Sequence, residues 1–206
     1  MLLTTVLLDL DGVVRHFDPA HVAGVEERHR LPAGSLRAAA FEPVLLARAI
    51  TGRIRRHEWV SEVGRRVGDL GAAEEWMSDR GTVDATLLAE VDELRSRGHG
   101  VAILTNGTDT IAEEMKALGI NARFDAIFSS ADLGVAKPDP QVFEKVATAL
   151  DIDPAKVFFT DDTQRKLRGA VEIGMTARLF EGIETFRRHL VEFGFQDALG
   201  PGSTSA

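Results

Sequence analysis

Apolar runs and amphipathic segments alternate along the chain after residue 84. Residues 84–97 carry apolar side chains at helical spacing, and Gly98 predicts the end of that helix. Runs of mostly apolar residues, rich in β-branched and aromatic types, predict strands at 100–107, 124–130, 156–160 and 175–180. Segments with helical periodicity lie between and after them, at 109–120, 139–150, 163–173 and 183–193, with Asp109 as a candidate cap or first-turn acid. This alternation predicts an α/β fold with a parallel sheet covered by helices.

The stretch from 15 to 83 has a different pattern. It follows a first apolar strand at 4–9, contains helical runs such as 35–50 and 55–68, and has almost no β-rich run. Breaks are predicted at Leu31–Pro32, Gly52, Gly68 and Gly71. We therefore predict a sheet core made of 1–14 and 84–199, a helical insertion at 15–83, and a flexible tail at 200–206.

Composition narrows the possible functions. The chain has 206 residues, of which 44% are hydrophobic, so it is long enough for an α/β domain with an insertion. Its net charge of −8 argues against a nucleic-acid partner, because phosphate contacts need a basic face. No apolar run approaches the roughly 18 residues of a membrane span, and no basic stretch precedes the first strand, so we expect neither a membrane segment nor a signal peptide. The absence of cysteine is typical of a cytoplasmic protein, which is the location we expect.

Polar residues follow several of the predicted strands. Ligands of parallel sheets bind beyond the carboxyl ends of the strands, and the candidates there are Asp9, Asp11, Thr105, Asn106, Gly107, Lys137, Asp161 and Asp162. Four carboxylates on one rim repel one another and need a cation, and oxygen-only ligands favour Mg²⁺.

The same rim offers groups for phosphate chemistry. The Lys137 ammonium, the Thr105 hydroxyl and backbone N–H groups around Asn106 would hold phosphate oxygens. Of the two acids that are two positions apart, Asp9 and Asp11, one carboxylate would attack phosphorus and the other would move the proton. Capping of turns and helices explains each pair of acids taken alone, but four strand ends together favour a functional site.

Four segments in order, "DLDGVV", "ILTNG", "KPDPQVF" and "FFTDDTQRKLRGA", resemble the motifs of the haloacid dehalogenase-like hydrolase superfamily. The resemblance covers the first strand and residues 84–195, and it implies a Rossmann-like core. The insertion resembles the small helical C1 cap of that superfamily. Its segment "AITGRIRRHEWVSEV" is similar to caps in the branch of sugar-phosphate phosphatases and epoxide-hydrolase phosphatase domains.

The resemblance implies roles by position. Asp9 would be the nucleophile and a metal ligand, and Asp11 would be the general acid and base and bind Mg²⁺ through its carbonyl. Thr105 and Lys137 would bind phosphate, and Asp161 and Asp162 would complete the metal site. The namesake dehalogenases lack the second acid of the first motif, so Asp11 favours phosphate chemistry.

This chain departs from the family pattern in two places. Lys166 and Leu167 stand where members often carry Asn or Asp, which bears on the outer shell of the metal site. Val13 replaces the usual Thr after Gly12.

Several residues of the insertion have two interpretations. The arginines at 53, 55, 56, 65 and 66 form either an anion-attracting lid or, as we favour, a solvated helix surface. His16 near the start of the insertion either contacts substrate or, more often for such a residue, packs or hydrogen-bonds. Trp59 and Trp76 are expected in the core of the insertion rather than as a substrate platform.

The sequence therefore predicts a Mg²⁺-dependent phosphatase that hydrolyses a small phosphorylated metabolite, with a sugar phosphate as one candidate, through an aspartyl-phosphate. A phosphotransferase or phosphomutase on the same scaffold and a catalytically silent binding protein are the alternatives. Neither the substrate nor the oligomeric state follows from the sequence.

Overall fold

The computed structural model describes residues 2–196 and contains a central sheet of five parallel strands. The strands in chain order are β1 (Thr5–Leu8), β2 (Arg15–His16), β3 (Thr82–Val83), β4 (Gly100–Thr105), β5 (Ala126–Ser129), β6 (Val157–Asp161) and β7 (Thr176–Leu179). The sheet order is β5-β4-β1-β6-β7, and β1 pairs in parallel with both β4 and β6. The predicted α/β fold with a parallel sheet is confirmed.

Eleven helices surround or extend this sheet within the described residues. They are α1 (Pro19–Arg28), α2 (Ser35–Ala40), α3 (Pro43–Ile50), α4 (Arg56–Val67), α5 (Leu70–Met77), α6 (Ala85–Ser96), α7 (Ile111–Ala117), α8 (Ser130–Leu133), α9 (Pro140–Ala149), α10 (Arg168–Glu172) and α11 (Ile183–Glu192). Both faces of the sheet are covered by apolar side chains. Val6 and Leu8 of β1 belong to the cluster on one face, and Leu7 belongs to the cluster on the other. A strand buried on both faces explains the continuous apolar run at the start of the sequence.

Helices α1–α5 all lie between β2 and β3 and share an apolar cluster of their own, which includes Val25, Leu36, Leu45 and Val63. Local signals explain their boundaries. Pro43 occupies the first turn of α3 after a Glu42 cap, so the predicted helical run at 35–50 is two helices. Gly68 ends α4 in a left-handed conformation, as predicted. The break predicted at Gly71 is wrong, because this residue lies inside α5.

A two-stranded antiparallel ribbon joins this helical segment to the sheet. In β2 and β3, Arg15 pairs with Val83 and His16 with Thr82. The sequence pattern did not predict it, because two residues per strand are too few to show a period. Both chain crossings between the insertion and the sheet pass through this ribbon.

Two local predictions after residue 84 are corrected. Helix α7 begins at Ile111 with Thr110 at its cap position, so Asp109 is neither cap nor first-turn acid. The Asp109 carboxylate instead accepts a hydrogen bond of 2.8 Å from the backbone N–H of Arg56 in the helical insertion. The helix predicted at 163–173 begins as a 3₁₀ turn over Gln164–Leu167 and becomes α-helical only in α10.

The predicted tail at 200–206 lies outside the described residues. Among residues 2–196, no helix has the length and apolar character needed to cross a membrane.

Candidate active site

Asp9 and Lys137 form the buried centre of the rim. Asp9 directly follows β1, and the loop between α8 and α9 brings Lys137 to it. The Lys137 ammonium donates hydrogen bonds of 2.7 Å to Asp9 Oδ1, to Asp161 Oδ2 and to the Leu104 carbonyl. All three charged side chains are almost completely buried. Lys137 was predicted to bind phosphate, and in the structure its charge is already shared by two carboxylates.

The Asn106 side chain forms two hydrogen bonds with the backbone of Lys137. Its side-chain oxygen accepts from the Lys137 N–H at 2.8 Å, and its side-chain nitrogen donates to the Lys137 carbonyl at 2.9 Å. The Asn106 amide is therefore engaged with protein, and its phosphate-binding role would fall to its backbone N–H. Thr105, the last residue of β4, is buried.

Asp161 is the last residue of β6, and Asp162 directly follows it. One oxygen from each of Asp9, Asp161 and Asp162 lies within 4.8 Å of the others, an arrangement that would hold a metal ion. The structure brings together three of the four predicted metal-binding residues through their carboxylates. The fourth, Asp11, was predicted to use its carbonyl, and its carboxylate does not belong to this group within the described residues.

Lys166 reaches the same three carboxylates from the 3₁₀ turn after β6. Its ammonium lies 3.3 Å from Asp9 Oδ2, 3.3 Å from Asp161 Oδ1 and 3.7 Å from Asp162 Oδ1. Burial opposes its protonation, but the three carboxylates outweigh burial and raise the pKa of Lys166. Leu167 beside it packs into the core under the sheet. The repulsion expected among the acids is thus offset in part by lysines of the protein itself.

The Asp11 carboxylate lies outside that group of described residues and forms an ion pair with Arg15. The Arg15 guanidinium donates to both Asp11 oxygens, at 2.6 and 3.2 Å, and to Glu114 at 2.7 Å. Desolvation raises the pKa of Asp11 above its usual range, and Arg15 opposes this shift without cancelling it. The Asp11 side chain remains 41% exposed. Sequence reasoning missed Arg15 and Glu114, which the turn after β1 and helix α7 bring together.

Gly12 allows the turn that separates the two acids. Its φ of +94° is strained for any other residue, and a Cβ atom there would collide with the Asp162 carboxylate. This position therefore requires glycine for both its backbone and its space.

A pocket of about 230 Å³ opens beside Asp11, between the helical insertion and the sheet. Its apolar lining includes Phe17, Phe41, Ile50, Trp76 and Met77. Phe41 and Trp76 form an edge-to-face aromatic pair, with their ring centroids 6.3 Å apart. Trp59 also borders the pocket, but its indole N–H donates to the Ala40 carbonyl, and it is buried in the insertion as predicted.

Most of the remaining candidates of the insertion have structural partners. His16 lies 3.8 Å from Asp84. Arg65 and Arg66 pair with Glu62 on the surface, which fits the solvated interpretation. Arg56 differs from them, because its side chain lies 3.4 Å from Glu114 of the sheet region.

Comparisons with known proteins agree with this arrangement. The family model for haloacid dehalogenase-like hydrolases matches residues 3–174. The chain belongs to this family of hydrolases. It is 26% identical to a phosphatase of Mycobacterium tuberculosis over 194 residues, covering 88% of each protein. It is 27% identical to bifunctional epoxide hydrolase 2 of pig, over 92% of this chain but only 38% of the pig protein. This hydrolase thus spans about two fifths of the pig enzyme.

A solved structure has the same fold. A haloacid dehalogenase family enzyme of Bacteroides thetaiotaomicron, crystallised with magnesium and inorganic phosphate, superposes with a TM-score of 0.72 at 20% identity. The match covers 86% of this chain and 93% of that enzyme.

Proposed function

We propose that this hydrolase is a Mg²⁺-dependent phosphatase that acts on a small phosphate ester through an aspartyl-phosphate on Asp9. The observation that carries the proposal is the separation of the two acids. Asp9 is buried among lysines and carboxylates, whereas Asp11 faces the pocket with a raised pKa. This separation supports a role for Asp9 in attack and a role for Asp11 in proton transfer.

The residues at the rim fit the proposed ion. Asp9, Asp161 and Asp162 supply only carboxylate oxygens, which Mg²⁺ prefers. When bound, Mg²⁺ would neutralise charge on the transferred phosphoryl group and orient it. The magnesium and phosphate in the related Bacteroides enzyme support this assignment.

The chain's own residues would then perform two steps. An Asp9 oxygen forms a bond to phosphorus as the bond to the leaving oxygen breaks, and Asp11 gives its proton to that oxygen. Water next attacks the aspartyl-phosphate while Asp11 takes the proton from water, which releases phosphate and restores Asp9. The Thr105 hydroxyl and the Lys137 ammonium would stabilise phosphoryl oxygens during both steps.

The helical insertion would act as a cap over this site, with residues 1–14 and 84–199 as the core. This division is supported by the pocket, because Phe41 and Trp76 line it from the insertion and Asn106 and Glu114 line it from the sheet region. A pocket of this size suits a small metabolite rather than a protein. Closure would exclude water from the first step.

Metal dependence gives the first test. Phosphate release from a panel of small phosphate esters should disappear in excess chelator and return with Mg²⁺. Full activity in chelator would contradict the assignment of the metal.

Lys166 also gives the silent binding protein a specific observation in its favour, because its ammonium lies where a cation is expected. The Asp9→Asn variant separates the two. An active phosphatase loses all hydrolysis in this variant, whereas a silent protein releases no phosphate with or without the substitution. Conversion of one sugar phosphate into another without free phosphate would identify a mutase.

A further inference from the structure

The two lysines of the site divide the carboxylate oxygens between them. Lys137 contacts Asp9 Oδ1 and Asp161 Oδ2, and Lys166 contacts Asp9 Oδ2 and Asp161 Oδ1. Both oxygens of both carboxylates therefore face an ammonium. Each of these oxygens still has a second lone pair for a metal ion, but a Mg²⁺ ion held by them would lie close to both ammonium groups, and the repulsion between the cations favours displacement of one lysine.

The contacts show which lysine would move. Lys137 is fully enclosed and bonded at 2.7 Å to Asp9, Asp161 and a backbone carbonyl. Lys166 has longer contacts of 3.3 to 3.7 Å, and its side chain is 20% exposed. A lysine on a four-carbon stem near the surface can turn toward water without leaving a buried charge unpaired.

We propose that Lys166 is a built-in competitor of Mg²⁺. Its ammonium contacts Asp9, Asp161 and Asp162, the carboxylates that would hold the metal ion, and competes with that ion for them. Metal binding displaces it toward solvent, so the affinity for Mg²⁺ is lower than three carboxylates alone would provide. This inference rests on the proposed phosphatase function, since it assigns a role to Lys166 in the metal site of that enzyme.

If Lys166 competes with Mg²⁺, removal of its charge should raise the affinity for Mg²⁺, whereas removal of a passive surface lysine should leave that affinity nearly unchanged. Removing a unit positive charge about 4 Å from a cation removes strong repulsion, even at the effective dielectric constant of a protein surface. Lys166→Met keeps the length of the side chain and removes its charge. Arg165→Gln is the matched control. Arg165 is an exposed neighbour of Lys166 in the same 3₁₀ turn, and its replacement by Gln removes the same unit of positive charge.

The direct measurement is calorimetric titration of the full chain with Mg²⁺ alone, without substrate. Lys166→Met should lower the Kd for Mg²⁺ by about tenfold or more, whereas Arg165→Gln should change it by about twofold at most. Thermal melting gives a second readout. Without metal, Lys166→Met should melt below the parent protein, and Mg²⁺ should raise its melting temperature by more than it raises that of the parent.

The outcomes separate this proposal from the proposed function. Equal Kd values for the parent and Lys166→Met, with hydrolysis still dependent on Mg²⁺, would overturn the competition and leave the phosphatase assignment intact. If neither the parent nor Lys166→Met binds Mg²⁺, the proposed competition is overturned. If hydrolysis also continues in chelator, the assignment of the metal is overturned too. Tighter binding to Lys166→Met alone supports the competition even if no phosphate ester is hydrolysed.

A different observation, the lining of the pocket, identifies a class of substrate. Four of the charged side chains in the lining are paired with one another, since Arg15 binds Asp11 and Glu114, and Arg56 also lies against Glu114. Of the other two, Arg37 lies over the Phe41 ring and Asp79 accepts a hydrogen bond from the Gly81 N–H. Much of the remaining wall is aromatic or aliphatic. Phe17 and Phe41 are about 43% and 45% exposed, which is unusual for such large apolar side chains.

We infer that the leaving group is apolar and about the size of a ring, rather than a sugar. This also rests on the proposed function, because it describes the alcohol that Asp11 would protonate. A sugar would leave several of its hydroxyl groups against the aromatic and aliphatic part of the wall, and unpaired polar groups weaken binding.

Esters of primary alcohols provide a fair comparison, because their leaving groups have similar reactivity. The kcat/KM for 2-phenylethyl phosphate should exceed that for glycerol 1-phosphate and glucose 6-phosphate by about tenfold or more. Phe41→Ala should raise KM for the phenylethyl ester with little change in kcat, whereas Val171→Ala, an exposed apolar residue of α10, should change neither. Higher kcat/KM for the sugar ester would overturn this inference but not the phosphatase assignment, and loss of all hydrolysis would overturn both.

Discussion

In the sheet, oppositely charged side chains meet where the strands end and are hidden from water, whereas the ion pairs of the helices between β2 and β3 are partly or largely exposed. Asp9, Lys137 and Asp161 have almost no exposed side-chain area. In the insertion, the Arg65 side chain that pairs with Glu62 is 71% exposed. An exposed pair is weakened by water and salt, while a buried charge that loses its partner is strongly destabilising. Both regions have apolar clusters, but only the sheet region also depends on ion pairs that are buried in this way.

Lys137→Ala should give the largest effect on stability. It leaves Asp9 and Asp161 buried with a single ammonium, and breaking a buried pair costs about 3–5 kcal/mol of unfolding free energy. Hydrolysis should fall by about 10²-fold or more through loss of an electrostatic donor. Denaturant unfolding and steady-state kinetics measure the two effects. Near-normal stability and turnover would mean that Lys137 is only a loop lysine.

Leu45→Ala tests the apolar cluster of the insertion. Leu45 is buried in that cluster, and truncation of a buried leucine costs about 2–5 kcal/mol. Glu62→Gln is the comparison variant, because it weakens the surface pairs with Arg65 and Arg66. Glu62→Gln should lower the free energy of unfolding clearly less than Leu45→Ala does. An equal or larger effect of Glu62→Gln would contradict the view that apolar packing holds the insertion together.

The protonation of two histidines should have the smallest effects on the stability of the fold, and the two effects should depend on pH with opposite signs. Hydrogen bonds to Glu75 and Asp69 raise the pKa of His29 in the insertion, whereas burial lowers the pKa of His189 in α11. Histidine titrates near pH 6.5 in an unfolded chain. The stabilisation from His29 is complete below that pH and is lost as pH rises through its folded pKa. The half-buried His189 instead destabilises the fold as pH falls below about 6.5.

Melting temperatures across pH check these signs. The advantage of the parent protein over His29→Gln should shrink as the pH rises above about 6.5. His189→Gln should lose less stability than the parent when the solution is acidified below about pH 6.5. Parallel curves for both variants would show that neither ring changes its protonation on folding.

The sequence predicts most of the fold because the strands have strong local signals. The runs predicted at 124–130 and 156–160 correspond to β5 and β6 with small shifts at their ends. Asp9, Asp161 and Asp162 come together because parallel strands end at one edge, which a sequence pattern can indicate. The residue roles and the division into core and cap stay predictions.

The features that sequence reasoning missed depend on tertiary geometry. Lys166 was identified as a departure from the family pattern at the outer shell of the metal site, but its contacts with the carboxylates were not predicted. Its segment begins as a 3₁₀ turn, whereas the periodicity predicted a helix. Arg15 reaches Asp11 through a tight turn, in which the Arg15 N–H donates to the Leu10 carbonyl, and it reaches Glu114 across 99 positions of sequence. No local pattern encodes such a distant partner.

The division of work between Asp9 and Asp11 is the central claim, and trapping the intermediate tests it most directly. Asp11→Asn keeps the nucleophile, and an aryl leaving group departs without needing a proton. The second step still lacks its base, so phosphate should accumulate on the enzyme. Mass spectrometry of Asp11→Asn, quenched in acid after brief exposure to an aryl phosphate, should find phosphate bound covalently to Asp9. Phosphate on Asp11 in the parent enzyme, or turnover by Asp9→Asn, would contradict the assignment.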